Sequence, residues 1–298
     1  MRFTDTWTTV PVAPPDSQGR AARCGWDQRP YIGPIYSGLV TDLEREYSPS
    51  SRVGGSAAPF IEGYEQRSAA AGRALGDRVR TLPGGTRFVS AGERAPLLVF
   101  VHGGYWQALS AEASLYLAPG ALALGWSYAC LDYTVAPQGN LASMVRECAT
   151  GLIDLALLDD HEHVVLAGHS AGAHLAAMAS IVHSPSIPVD RVVLMSGIFD
   201  LRPLVLTTVN EPLGLDDAAA AALSPALLPV VGRSPAMVAW GDNETDAFKA
   251  QGHLYAARLR ANGVAVAEHE CPGRHHFDIV DDLVDPSTAL GAFVTQWV

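Results

Sequence analysis

From residue 97 onward the chain alternates short apolar runs with longer segments of helical spacing. Leu97–Val101, Ser127–Leu131, Val164–Ala167, Val192–Met195, Met237–Trp240 and Val264–His269 read as strands. Most are apolar throughout, as strands covered on both faces are. Between them, Leu141–Leu158, Ala171–Val182, Ala247–Asn262 and Pro286–Trp297 read as helices. This alternation predicts an α/β fold, a mostly parallel central sheet with helices on both faces. The stretch from Leu201 to Pro229 offers no strand and carries an alanine run, Ala218–Ala222, between prolines. It is expected to be a small helical cap insertion of the kind that covers a site. Upstream of residue 97, Pro11, Pro14, Pro15, Pro30 and Pro34 interrupt any periodicity, and only Leu39–Tyr47 and Phe60–Leu75 keep helical spacing. Residues 1–96 therefore read as an N-terminal arm packed on the core, and residues 97–298 as one domain with the insertion at 201–229.

Composition narrows the class. With 298 residues, of which 48% are hydrophobic and 17% charged, one domain can bury a full core. The 20 Lys and Arg against 31 Asp and Glu leave a net charge of -11, which repels a phosphate backbone and argues against nucleic acid as a partner. No uncharged apolar run is long enough to cross a bilayer, so no membrane partner is expected. Met1–Pro15 has one arginine and no apolar stretch of signal-peptide type, so a cytoplasmic location is expected. Cys24, Cys130, Cys148 and Cys271 are scattered and form no CxxC pair; free thiols are expected, with Cys130 buried in its apolar run. No histidine pattern has metal-ligand spacing, so neither metal nor other cofactor is expected.

The chemistry is concentrated where strands end. Gly168-His169-Ser170-Ala171-Gly172 sits directly after a strand and before a helix, the strand-turn-helix setting of a nucleophile elbow. The turn is so tight that side chains two before and two after the serine would clash, which calls for glycine at both places. The hydroxyl of Ser170 then stands at the N-terminus of the following helix. Upstream, Leu97–Val101 runs into His102-Gly103-Gly104-Tyr105-Trp106. Two glycines after a buried strand let backbone N–H groups approach the oxygen that becomes negative during acyl transfer. The expected oxyanion donors are the N–H groups of Gly104 and Tyr105 with Ala171, Gly103 also being a candidate, while His102 braces the loop by hydrogen bonding.

A serine hydroxyl needs a base, and Gly273-Arg274-His275-His276-Phe277 follows the last strand. Adjacent histidines cannot both face Ser170; His276 is chosen over His275, as the residue followed by Phe and leading into the terminal helix. An acid that fixes the imidazole should follow Met237–Trp240, where Gly241-Asp242-Asn243-Glu244-Thr245-Asp246 stands. Glu244 is preferred because hydrolases that such a strand-helix pattern resembles commonly carry the acid three positions after a glycine like Gly241; Asp242 is the runner-up, Asp246 is expected to cap the next helix, and Asp200 is a weaker candidate better read as a loop brace. Tyr105, Trp106 and His174 are candidate substrate-binding residues. For Trp106, core packing is an equal alternative.

Serine, then acid, then histidine, preceded by an HGG loop, is the order of the α/β-hydrolase fold, matched over Leu97–Val298. Within that superfamily the details resemble the kynurenine formamidase (arylformamidase) branch. His102-Gly103-Gly104-Tyr105-Trp106 is similar to its HGGxW loop, Gly168–Leu175 to its elbow, Tyr47-Ser48-Pro49-Ser50 to its N-terminal YSPS segment, Glu244–Gln251 to its acid-to-helix region and His276–Val280 to its histidine loop. Two positions depart from the pattern: Glu244 stands where animal members generally have Asp, and Gly252 where Ser often follows the Gln. The resemblance implies hydrolysis of N-formyl-L-kynurenine to L-kynurenine and formate. A carboxylesterase or amidase acting on another small ester or amide is the alternative. A non-catalytic relative that binds a ligand is more remote, because serine, histidine and acid are all present. The expected partner is a small molecule with an aryl or apolar group; a homodimer through the arm or an exposed helix is compatible with the sequence, which carries no interface pattern.

Overall fold

The apolar runs pair into one eight-stranded sheet. The computed structural model describes residues 42–158, 161–182 and 189–297; the first 41 residues, with Cys24 and the proline-rich start of the expected arm, lie outside them. The elements are α1 (Ala58–Leu75), β1 (Arg80–Thr81), β2 (Arg87–Val89), β3 (Leu97–Val101), α2 (Ala118–Ala123), β4 (Ser127–Leu131), α3 (Leu141–Leu158), β5 (Val164–His169), α4 (Ala171–Ala177), β6 (Arg191–Met195), α5 (Asp217–Ala222), β7 (Ala236–Asn243), α6 (Asp246–Ala261), β8 (Val266–His275) and α7 (Ala289–Thr295). The strand order is β1-β2-β4-β3-β5-β6-β7-β8. β1 and β2 are antiparallel to their neighbours, and β4 through β8 run parallel.

The inner strands are buried on both faces, and their period of two divides the core into two layers. Leu97, Val99, Val101, Leu166, Val192 and Leu194 belong to one hydrophobic cluster. Leu98, Phe100, Val165, Ala167, Val193 and Met195 belong to the other. Each fully buried side chain of this size stabilises the fold by roughly 1.5–3 kcal/mol relative to exposure. Cys130, Cys148 and Cys271 are buried free thiols, and burial pushes the Cys271 thiol up to about 12.

Several elements differ from the pattern-based expectation. Residues 80–89, read as arm without strands, supply β1 and β2. β1, Arg80-Thr81, is a two-residue polar edge strand, and β2 is a three-residue strand between β1 and β4; both are too short to show a period. α2 contains Pro119 and Gly120; the proline is tolerated because it falls in the first turn. β8 continues to His275 through Pro272 and Gly273, which read as a loop. α7 begins only at Ala289, where the Thr288 hydroxyl accepts the Gly291 N–H at 3.1 Å. Residues 201–229 hold two 3-10 turns, Arg202–Leu206 and Thr208–Asn210, and the short helix α5.

Gly252 has a packing reason. A Cβ there would lie 2.4 Å from Trp240 Cε3, so the glycine lets α6 lie against a tryptophan that is 2% exposed. Serine at this place would require the indole to move.

Candidate active site

Sheet register brings the chemistry together at the carboxyl ends of the strands, the usual ligand side of such a sheet. Val101 pairs with Gly168, so the loop leaving β3 and the turn leaving β5 emerge side by side. His169 pairs with Met195, which places Ser196 beside Ser170. Between β7 and β8 the register shifts: Gly241 faces Cys271, but Asn243 faces His275. β8 thus gains two residues over its partner, and this bulge sets Glu244 opposite His276 instead of Arg274.

Ser170 has φ 55° and ψ -119°, a strained conformation for a residue with a side chain. Its N–H donates to Met195 O at 2.8 Å. The glycine requirement is steric: a Cβ at Gly168 would lie 2.3 Å from Gly172 O, and one at Gly172 would lie 2.0 Å from Val101 O. In the neighbouring loop Gly104 has φ 100°, and a Cβ there would meet Ala108 O at 2.2 Å. Among the described residues no loop or turn carbonyl accepts from the N–H groups of Gly103, Gly104, Tyr105 or Ala171; of these four residues, Gly104 and Tyr105 line the cavity with Ser170. The His102 ring braces this loop: its nitrogens lie 2.9 Å from Gly103 O and 3.3 Å from Asp132 Oδ1. The Tyr133 hydroxyl lies 3.0 and 3.1 Å from the carbonyls of His102 and Gly103.

Of the carboxylates from Asp242 to Asp246, Glu244 is the one bonded to a histidine. It is 2% exposed. Its Oε1 accepts from Ser196 Oγ at 2.6 Å and from the Gly241 N–H at 2.7 Å, and its Oε2 accepts the His276 Nδ1–H at 2.9 Å. With Nδ1 committed, Nε2 is the His276 nitrogen left for the cavity that it lines together with Ser170. Such an arrangement can take a proton from a serine hydroxyl and return it to a leaving group. Asp242 is exposed and accepts the Gly273 N–H on the bulge. His275 turns aside, its Nδ1 accepting the Phe277 N–H at 3.1 Å and its ring edge against Phe60. Asp200 braces its loop by binding Arg202 at 2.6 Å.

Three expectations are corrected. Asp246 does not cap α6 but is its first residue, behind Thr245; the Ala247 N–H goes instead to Glu46 Oε2 at 3.1 Å. Trp106 is fully buried in the core and does not line the cavity. Its positive φ of 60° turns the indole inward against the His174 ring, 5.2 Å away. His174, also fully buried and absent from the cavity wall, donates through Nε2 to Leu223 O at 2.7 Å. Tyr105 alone of the three proposed binding residues lines the cavity.

Burial, partly offset by the bond to Leu223 O, lowers the His174 pKa from 6.5 to about 4. Below pH 6.5 the unfolded chain binds a proton that the folded chain excludes. Stability therefore falls as pH drops from 6.5 towards 4, by about 3 kcal/mol over that window. Urea unfolding at about pH 7 and pH 4.5 should show this loss, and His174→Gln should reduce the slope; equal slopes would rule His174 out as its source.

The cavity encloses about 350 Å³, within the size of small-molecule sites. Much of its wall comes from residues that sequence reasoning left unassigned: Glu44, Tyr47, Ser48, Pro49, Ser50, Ile61 and Tyr64 from the N-terminal region, Thr208 and Val209 from the insertion, and Phe277. Phe60 stacks on Phe277 at 4.6 Å, and the Tyr64 hydroxyl donates to Phe277 O, so α1 holds the histidine loop. The helical spacing of Phe60, Tyr64, Ser68 and Ala71 was the available signal. Ser196 was also missed; its position after the strand beside the elbow was the clue. His169 lines the cavity too, and burial holds it well below its ordinary pKa, so its neutral ring donates Nε2–H to His276 O at 2.7 Å. Among the described residues no group of His, Cys, Asp and Glu could hold a metal ion, and no helix is long and apolar enough to cross a membrane.

Comparison with known proteins agrees with this architecture. A family model described as alpha/beta hydrolase fold matches residues 98–278. Kynurenine formamidase of Salmo salar is 34% identical over 203 residues, covering 64% of this chain and 68% of that protein. Esterase LipQ of Mycobacterium tuberculosis is 27% identical over 83% of this chain and 67% of its own length. Among solved structures, a protein from Silicibacter sp. TM1040 described as a candidate thioesterase superposes with a TM-score of 0.77 and 28% identity, covering 86% of this chain and 99% of that one.

Proposed function

From the premise that the chain belongs to the α/β-hydrolase superfamily, in its kynurenine formamidase-like branch, we propose that this hydrolase cleaves N-formyl amides of aryl amines through Ser170, His276 and Glu244. The leading substrate is N-formyl-L-kynurenine, giving formate and L-kynurenine. The observation that carries the reading is the continuous contact from Ser196 and Gly241 through Glu244 to His276 in the wall that also holds Ser170.

In the proposed mechanism, Ser170 Oγ attacks the formyl carbon while His276 Nε2 takes its proton. The carbonyl oxygen becomes negative and is held by N–H groups from the Gly103–Tyr105 loop and Ala171. His276 then protonates the anilide nitrogen, releasing the aryl amine and leaving formyl-Ser170. Water, deprotonated by His276, attacks this ester, and formate leaves as the serine regains its proton. Glu244 keeps the proton on Nδ1 and stabilises the imidazolium. The formyl group has no side chain, which suits the close approach of Gly104 and Tyr105, and the aromatic amine faces Tyr105, Tyr64 and Phe277.

Ester cleavage is the second reading, favoured by the likeness to LipQ. The two are separated by kcat/KM on N-formyl-L-kynurenine and on p-nitrophenyl acetate with the same protein. A formamide value on the order of 10^4 M^-1 s^-1 or more, above that of the ester, is expected. Ester turnover without deformylation would move the function to another ester or amide.

A further inference from the structure

The described wall of the cavity in front of Ser170 holds one residue of the Asp, Glu, Lys and Arg set. Among the described residues lining it, Glu44 is the only acid, and there is no lysine or arginine. Glu44 is fixed in place: its two carboxylate oxygens accept from the Thr208 N–H at 2.5 Å and from Thr208 Oγ1 at 3.0 Å. Each carboxylate oxygen has two acceptor sites, so one bond apiece leaves capacity on the cavity side. Neighbouring Arg45 is engaged elsewhere, with Asp42 and Glu46. The whole-chain charge of -11 also draws cations and repels anions.

We propose that Glu44 is a specificity-determining residue that receives a positively charged ammonium group on the leaving-group side of the substrate. The inference rests on the reading of this cavity as the substrate pocket of a serine hydrolase. N-formyl-L-kynurenine bears both an ammonium and a carboxylate. Glu44 answers the first, and no cation on the described wall answers the second. The site therefore favours aryl formamides with an amine arm over those with an acid arm, and loss of the substrate carboxylate improves the substrate.

The test compares kcat/KM for N-formyl-L-kynurenine, its decarboxylated amine and its deaminated acid, together with aryl acetates whose ring bears an aminoethyl or a carboxyethyl arm. In both series the amine exceeds the acid by about tenfold or more, a gap of about 1.4 kcal/mol. Glu44→Gln, which keeps the size and an acceptor for Thr208, brings the ratio close to one. Raising salt from about 20 mM to about 0.5 M shrinks the ratio in the native protein by screening; this arm needs no variant. Equal or better turnover of the acids, or a ratio unmoved by both Glu44→Gln and salt, overturns the proposal. If no formamide is cleaved while the acetates keep the amine preference, the formamidase reading fails and the role of Glu44 stands.

Discussion

Replacing Ser170 with alanine is expected to lower kcat by about 10^4 to 10^6-fold on every substrate the enzyme hydrolyses, with KM and melting temperature little changed. The serine hydroxyl is the nucleophile in the proposed reaction, and no metal-binding group stands among the described residues to activate water in its place. The donors of the Gly103–Tyr105 loop and Ala171 remain in the variant, so a residual rate above that in water persists. The fold has little reason to respond. The positive φ of Ser170 is imposed by the β5–α4 turn and by its N–H bond to Met195 O, and alanine meets the same backbone constraint. Steady-state kinetics and a thermal melt on the same preparation check both halves; loss of folding together with activity would leave a structural role as the explanation.

Glu244→Gln is expected to cost about 10^3 to 10^4-fold in kcat. All three groups facing Glu244 are donors: Ser196 Oγ and the Gly241 N–H on one oxygen, and His276 Nδ1–H on the other. A carboxamide must turn its NH2 toward one of them. Facing His276, it forces the proton to Nε2 and removes the base from Ser170. Facing Ser196 and Gly241, it leaves a buried donor unpaired, which costs about 1–3 kcal/mol. Glu244→Asp keeps the charge but shortens the reach, and a loss of about 10^2-fold follows from misplacement of the imidazole. The order native, Asp, Gln in kcat distinguishes an orienting acid from a merely structural one; equal loss in Asp and Gln would contradict it.

The elements legible in the sequence were those whose signal is local. Leu97–Val101, Ser127–Leu131 and Leu141–Leu158 were readable to the residue because burial on both faces makes a strand apolar throughout, and burial on one face gives a helix its period. That Ser170 and His276 would line one cavity, with Glu244 bonded to His276, was readable because a tight turn demands Gly168 and Gly172, and because an acid and a base proposed to serve a serine would have to follow particular strands. What was not legible depends on distant pairing. Glu46 serves α6 from 201 residues away, and Tyr64 holds Phe277 O across 213. Trp106 and His174 sit beside the Gly103–Tyr105 loop and the Ser170 turn in sequence, but Trp106 is turned into the core by a left-handed backbone, and His174 is drawn to Leu223 O in the insertion. The bulge that aligns Glu244 with His276 lies in Pro272-Gly273, residues that read as a loop and act instead as a register shift within β8.

The most direct test of the central claim is covalent labelling of the folded protein with a fluorophosphonate, followed by peptide mapping. The account predicts one adduct, on Ser170, formed in step with loss of hydrolysis and slowed by the competing formamide substrate. A folded, active protein left unmodified at Ser170, or inactivated by an adduct on another residue, would contradict it.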